Sequence, residues 1–157
     1  MGLFGNKQQG NLKATKEMVE KVIAELGLTE EENRLQTDDG ALGWGLMRGS
    51  AHVYIFIRPG PADEAFNSIQ VVSPLMRVPE SDATRLALFR HLLDLNAQEM
   101  SGAAFGIKDD TVVILNDRST QDLDRSEVKE MILRVGYFAD AYDDALVTRY
   151  GGLRFSD

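Results

Sequence analysis

The feature that most constrains this chain is a change of hydrophobic period. From Leu12 to Leu26, the apolar residues Met18, Val19, Val22, Ile23 and Leu26 recur at helical spacing, with Lys13, Lys16, Glu17 and Glu20 on the other side. After Thr29-Glu30-Glu31-Glu32 the period falls to two. Leu42, Trp44 and Leu46 alternate with Ala41, Gly43 and Gly45. Val53, Ile55 and Ile57 then alternate with His52, Tyr54 and Phe56, and Ile69 and Val71 follow. Asp38-Asp39-Gly40, Gly49-Ser50 and Pro59-Gly60-Pro61 carry turn chemistry between these runs. Three or four short strands joined by hairpins make an antiparallel sheet. Arg34 to Thr37 is either a further short strand or the approach to the sheet.

The helical period returns after Pro79, over Glu80 to Gln98, with proline near the tolerated first position. Ala103, Phe105, Ile107, then Val113 and Leu115, read as a hairpin through Asp109-Asp110. Asp124 and Glu127 have capping-box spacing. Val128, Met131, Ile132, Val135, Ala139, Tyr142 and Leu146 then hold a helix until Gly151-Gly152. The order is helix, three or four strands, helix, two strands, helix. Strands and helices are segregated, not alternated as βαβ units, so the fold class is α+β. Residues 1–11 read as a flexible leader, 12–150 as one domain and 151–157 as a short C-terminal tail, with Asn11 as N-cap and Gly27 as C′ residue of the first helix.

Composition excludes several classes of function. The 157 residues carry a net charge of −8, with a sequence pI near 4.8, which argues against direct nucleic-acid binding. No apolar run is long enough to cross a bilayer, and no secretory signal begins the sequence, so a cytoplasmic protein is expected. The chain has no cysteine, hence no thiolate metal site, disulfide or cysteine nucleophile. Gly43-Trp44-Gly45 followed by Gly49 lacks dinucleotide-loop spacing, and no P-loop occurs. His52 and His91 are the two histidines, and no nucleophile elbow accompanies them. His91 falls on the polar arc of its helix with Arg90, Asp94 and Gln98. The acidic pairs sit at turns, where aspartate serves the backbone. No catalytic residue, metal site or cofactor is assigned.

What remains is surplus apolar surface. In the helix after Pro79, Leu86, Phe89 and Leu93 form one stripe and Leu88, Leu92 and Leu95 a second, a wider arc than one core requires. With the first stripe on the sheet, Leu88, Leu92 and Leu95 become the candidate homodimer interface. The strand holding Val53, Ile55 and Ile57 also carries Tyr54 and Phe56 on its opposite face. Leu42, Trp44, Leu46, Tyr54 and Phe56 are therefore the candidate client-binding residues. The alternative is that these side chains complete a two-sided core.

Particular residues resemble the YbjN family and the related type III secretion chaperones, with the CesT-like fold. They are Ile69-Gln70-Val71-Val72-Ser73-Pro74-Leu75 leading to Val78-Pro79, Leu92-Leu93-Asp94-Leu95-Asn96, Gly102-Ala103-Ala104-Phe105-Gly106-Ile107 and Val112-Val113-Ile114-Leu115. The resemblance implies an α-β-β-β-α-β-β-α domain with helices packed on one face of the sheet. It also implies a small acidic homodimer, commonly formed by the middle helix, that holds an extended client segment without ATP. The expected function is a non-enzymatic, chaperone-like adaptor. A small-ligand sensor or regulatory subunit with a pocket near the strand glycines and Trp44 is the alternative, and a purely structural homo-oligomer is the third reading.

Overall fold

A computed structural model describes residues 2–155, without the side chains of Leu3 and Phe4. The elements run α1 (Leu3–Glu25), α2 (Glu30–Asn33), β1 (Arg34–Leu35), β2 (Leu42–Arg48), β3 (Ala51–Arg58), β4 (Ser68–Arg77), α3 (Asp82–Gln98), β5 (Ala104–Lys108), β6 (Thr111–Ser119) and α4 (Arg125–Tyr150). The strands form one six-stranded antiparallel sheet in the order β1-β2-β3-β4-β6-β5. This is the expected α+β class. The short stretch at Arg34 is a strand, pairing Arg34 with Trp44 and Leu35 with Gly43.

Local signals explain most boundaries. Gly27 ends α1 with a φ of +78°, and Gly151 ends α4 with a φ of +67°. Asp109 and Asp110 both hold positive φ, 48° and 58°, between the paired residues Lys108 and Thr111. That is the two-residue hairpin whose twist matches the flanking strands. Asp124 and Glu127 cap α4 reciprocally. Asp124 Oδ1 accepts from the Glu127 N–H at 2.9 Å, and Glu127 Oε2 accepts from the Asp124 N–H at 2.9 Å.

The expectation for the N-terminal residues is overturned. The stretch read as a leader is helical from Leu3, and Asn11 lies inside α1 instead of capping it. The cause is a set of polar contacts from that turn. The Gln8 side-chain amide donates to the carbonyls of Gly60 and Pro61 at 3.0 and 3.1 Å, and Asn11 Oδ1 accepts from Asn67 Nδ2 at 2.8 Å. Met1 of that leader, and Ser156 and Asp157 of the tail, lie outside the described residues.

The chain's contacts gather into two compact units. The first comprises Met1–Leu46, Tyr54–Val71 and Asp117–Ile132. Its buried apolar residues include Val19, Val22, Ile23, Trp44, Ile55, Ile57 and Ile69. A buried polar knot accompanies them. The Asn67 N–H donates to Thr120 Oγ1 at 3.0 Å, the Thr120 N–H returns to Asn67 O at 2.9 Å, and Asn67 Nδ2 donates to Gln8 O at 3.1 Å. Such a network ties Asn67 to Thr120 and α1, although Asn67 Oδ1 is itself buried with no partner among the described residues.

The second unit comprises Met47–Val53, Val72–Asn116 and Leu133–Asp157. Leu75, Met76, Leu88, Ile114, Val135 and Leu146 are buried there. Helix α3 packs on β5. Phe105 makes an edge-on contact with Tyr142, their ring centroids 5.3 Å apart.

Candidate functional site

The first unit's β2 and β3 assign the candidate residues to two different faces. A Cβ built on Gly43 would sit 3.0 Å from Phe56 Cε1 and 3.2 Å from Thr37 Cγ2. One on Gly45 would sit 3.3 Å from Tyr54 Cε1 and 3.5 Å from Leu35 Cδ2. Gly43, Gly45, Tyr54 and Phe56 therefore share a face. Leu42, Trp44 and Leu46 alternate with those glycines and point to the other.

Burial separates the two sets. Trp44 is fully buried and Leu46 is 5% exposed, while Leu42, Tyr54 and Phe56 are half-buried. The five candidates do not form one surface. Trp44 and Leu46 belong to the core with Ile55 and Ile57, and a client cannot reach them in this arrangement. Tyr54 and Phe56 lie on the opposite side, their centroids 6.4 Å apart with an interplanar angle of 26°. Glycine at 43 and 45 lets the two rings lie down against the neighbouring strand, which replaces the missing side chains with aromatic cover.

Charge edges this aromatic face. The Arg58 guanidinium stands over the Phe56 ring, 4.8 Å from its centroid, and its Nε lies 3.5 Å from Asp39 Oδ2. The Ala41 N–H donates to Asp39 Oδ1 at 3.1 Å. That bond, helped by Arg58, holds the Asp39 carboxyl below its ordinary range. The face can therefore accept apolar side chains, with one cation stacked at its side.

Helix α3 presents the reverse of the expected stripe. Leu88, Leu92 and Leu95, the candidate dimer residues, are buried within the chain at 0%, 4% and 8% exposure. Leu86 and Leu93 are 73% and 65% exposed. The reason is Asn96, which falls on the Leu88/Leu92 side of the helix at i+8 and i+4. Its Nδ2 donates to Phe105 O at 3.1 Å and its Oδ1 accepts from the Phe105 N–H at 2.7 Å. This pins that side of α3 to β5. The apolar count of the two stripes is equal, so periodicity could not choose between them; Asn96 was the available signal.

His91 is hydrogen-bonded from that polar arc, its Nδ1 2.8 Å from Tyr150 Oη. Together with Thr84, Arg90 and Arg149 it lines a cleft of about 660 Å³ in the second unit. Among the described residues no group of three or more histidines and carboxylates could hold a metal ion, and no helix is long and apolar enough to cross a membrane. Sequence reasoning also missed helix α2, the Asn67–Thr120 knot and the pairing of the C-terminal residues with β4.

Residues 13–157 match the family described as T3SS (YopN, CesT) and YbjN peptide-binding chaperone 1. No curated protein matches the sequence. Among solved structures, the chain is similar to one described as the HopA1-SchA chaperone-effector complex. The identity is 12% and the TM-score 0.57, over 87% of this chain and 98% of that one. It is also similar to the ExsC-ExsE complex, at 12% identity and a TM-score of 0.55, over 85% of this chain and 94% of that one. At this identity the likeness concerns the fold.

Proposed function

We propose a function from one premise: the chain belongs to the family of T3SS and YbjN peptide-binding chaperones. It is a non-enzymatic adaptor that holds an extended segment of a client protein. The observation that carries the reading is the half-buried Tyr54–Phe56 pair, laid over Gly43 and Gly45 on the face opposite the Ile55/Ile57 core. An apolar client side chain seated there would cover ring surface that one chain leaves in water. A cytoplasmic site of action is part of the reading.

The reading includes a homodimer, moved to the other side of α3. Leu86 and Leu93 are the exposed large apolar residues of that helix, and a two-fold contact would cover them in both copies at once.

A photo-crosslinking residue placed at Phe56 tests the client reading. It should capture a client from native extract, whereas the same residue at Asp82, exposed at the start of α3, should not. Tyr54→Ser in the chain that carries the crosslinker should weaken capture while the circular dichroism is retained. Equal capture from both positions would refute it.

The ligand-sensor reading has one observation in its favour: the buried Trp44 Nε1–H has no acceptor within the described residues. It ranks second because Phe56 and Tyr54 already fill the space above Gly43 and Gly45.

A further inference from the structure

We infer that the end of β4 is a strand-accepting slot, held in this chain by its own C-terminal residues and open to an extended partner segment of the pattern apolar–basic–apolar. Phe155 donates its N–H to Leu75 O at 3.0 Å, and Arg77 donates its N–H to Leu153 O at 2.9 Å. Met76 and Arg154 stand opposite each other as an antiparallel pair between those two bonds. Residues 153–155 thus form a short added strand.

The slot has a structural cause. Main-chain groups of successive strand residues point to alternate sides. Val78 donates its N–H to Asp110 O at 2.7 Å, toward the β5–β6 turn, so Leu75 and Arg77 face the other way. There the neighbour of β4 is β3, which begins only at Ala51. Ser50 and Ala51 lie with Leu75 and Phe155 around one small cavity, where β3 stops and the tail takes over. Without the tail, Leu75 O and Arg77 N–H would stand unpaired, the condition that invites strand addition.

The occupant is held lightly. Leu153 is 67% exposed and buries little, and Phe155, 40% exposed, supplies most of the side-chain burial. Among the described residues, the polar attachments of 153–155 are two main-chain bonds and an ion pair of Arg154 with Asp144. A competing segment in the same register would keep all three and could add apolar contacts of its own. Asp144 sets the preference for a basic residue between the two apolar ones. Gly152 makes the approach possible, since a Cβ there would meet Met76 Cε at 2.3 Å and Arg77 O at 2.8 Å.

The partner's nature rests on the peptide-holding reading, but the slot can be tested without any client. The probe is a fluorescein-labelled peptide with the sequence of residues 151–157, read by anisotropy against the full-length chain. Two variants lift the tail: Gly152→Val, by collision with β4, and Phe155→Pro, by removing the N–H donor. Both should bind the peptide at least about tenfold more tightly than wild type, because the resident tail lowers the fraction of competent slot. In both, the Arg77 amide should exchange faster with solvent, and added peptide should restore its protection. The same peptide with its arginine changed to glutamate should bind more weakly. Equal affinity for wild type and both variants overturns the proposal, as does an Arg77 amide whose protection neither variant changes. Unfolding of both variants would make the tail an obligatory part of the fold and overturn it too. Loss of client capture at Phe56 leaves all of these outcomes unaffected.

Discussion

Phe56 lies against Gly43 so closely that a methyl group on the glycine would sit 3.0 Å from the ring. The two residues are thirteen positions apart in sequence, and the small one determines how the large one lies. Gly43→Ala should lift the Phe56 ring, because contacts of 3.0–3.2 Å to Phe56 and Thr37 must both lengthen. The expected result is weaker client capture without loss of folding, with a change in the Thr37 methyl signal. An unshifted Thr37 methyl would show that the ring does not depend on Gly43.

Adjacent residues of β3 should separate function from stability. Ile55 is fully buried, and Ile55→Ala should cost about 2–5 kcal/mol from lost transfer energy and the cavity left behind. Phe56 is half-buried on the opposite face, so Phe56→Ser should cost only about 1–2 kcal/mol by the area it withdraws from water. Urea unfolding measures both. A Phe56→Ser cost equal to that of Ile55→Ala would place Phe56 in the core.

Two neighbouring leucines on α3 give a similarly sharp contrast. Leu92 is 4% exposed, and Leu92→Asp buries an unpaired carboxylate and should unfold the chain. Leu93 is 65% exposed, and Leu93→Asp should leave helical circular dichroism intact. If the homodimer forms on that face, wild type should scatter light as about twice 17.4 kDa and Leu93→Asp as a monomer. A monomeric wild type at micromolar concentration would remove the dimer.

Sequence periodicity delivered the α+β class, the strands and the ends of α3 and α4, because each rests on contacts local in sequence. Gly27, Asp109-Asp110 and Asp124 could be read directly, since their roles depend on backbone conformation nearby. Choices made by distant partners could not. Asn96 selects the buried stripe of α3 through Phe105, and Asn67 draws Gln8 and Asn11 into a longer α1. The candidate binding set was half legible for the same reason. Alternation placed Tyr54 and Phe56 opposite Ile55. It could not show that Trp44 shares the Ile55 side until Gly43 and Gly45 were seen under the rings.

The capping box of α4 predicts an acid-sensitive step in stability. The Ser126 hydroxyl and the Glu127 N–H hold the Asp124 carboxyl below its ordinary range, and the Asp124 N–H and Arg118 do the same for Glu127. Depressed carboxyls contribute stability that is present above their unfolded values, near 3.8 and 4.5, and is lost as pH falls through the folded ones. Asp124→Ala should lower stability at pH 7, as loss of an N-cap does, and lower it much less near pH 2. Chemical denaturation at the two pH values checks this, and a cost independent of pH would contradict it.

At the opposite end of the scale, the Tyr142 hydroxyl donates to Glu99 Oε2 at 2.5 Å. That bond to an anion, with some burial, pushes the Tyr142 pKa up from 10.0 to about 12. Ionising the phenol would remove the donor and set two negative charges against each other. A group whose folded pKa is raised contributes stability that is complete below the unfolded value. It is lost as pH climbs, so this contribution should hold to about pH 10 and fade toward 12. Tyrosinate absorbance should show a late step near pH 12 that belongs to Tyr142. Glu99→Gln keeps an acceptor but removes the charge, so it should bring the late titration back toward 10, as Tyr142→Phe should delete it. A late-titrating tyrosine that persists in Tyr142→Phe would assign the shift to another ring and sever the Glu99–Tyr142 link.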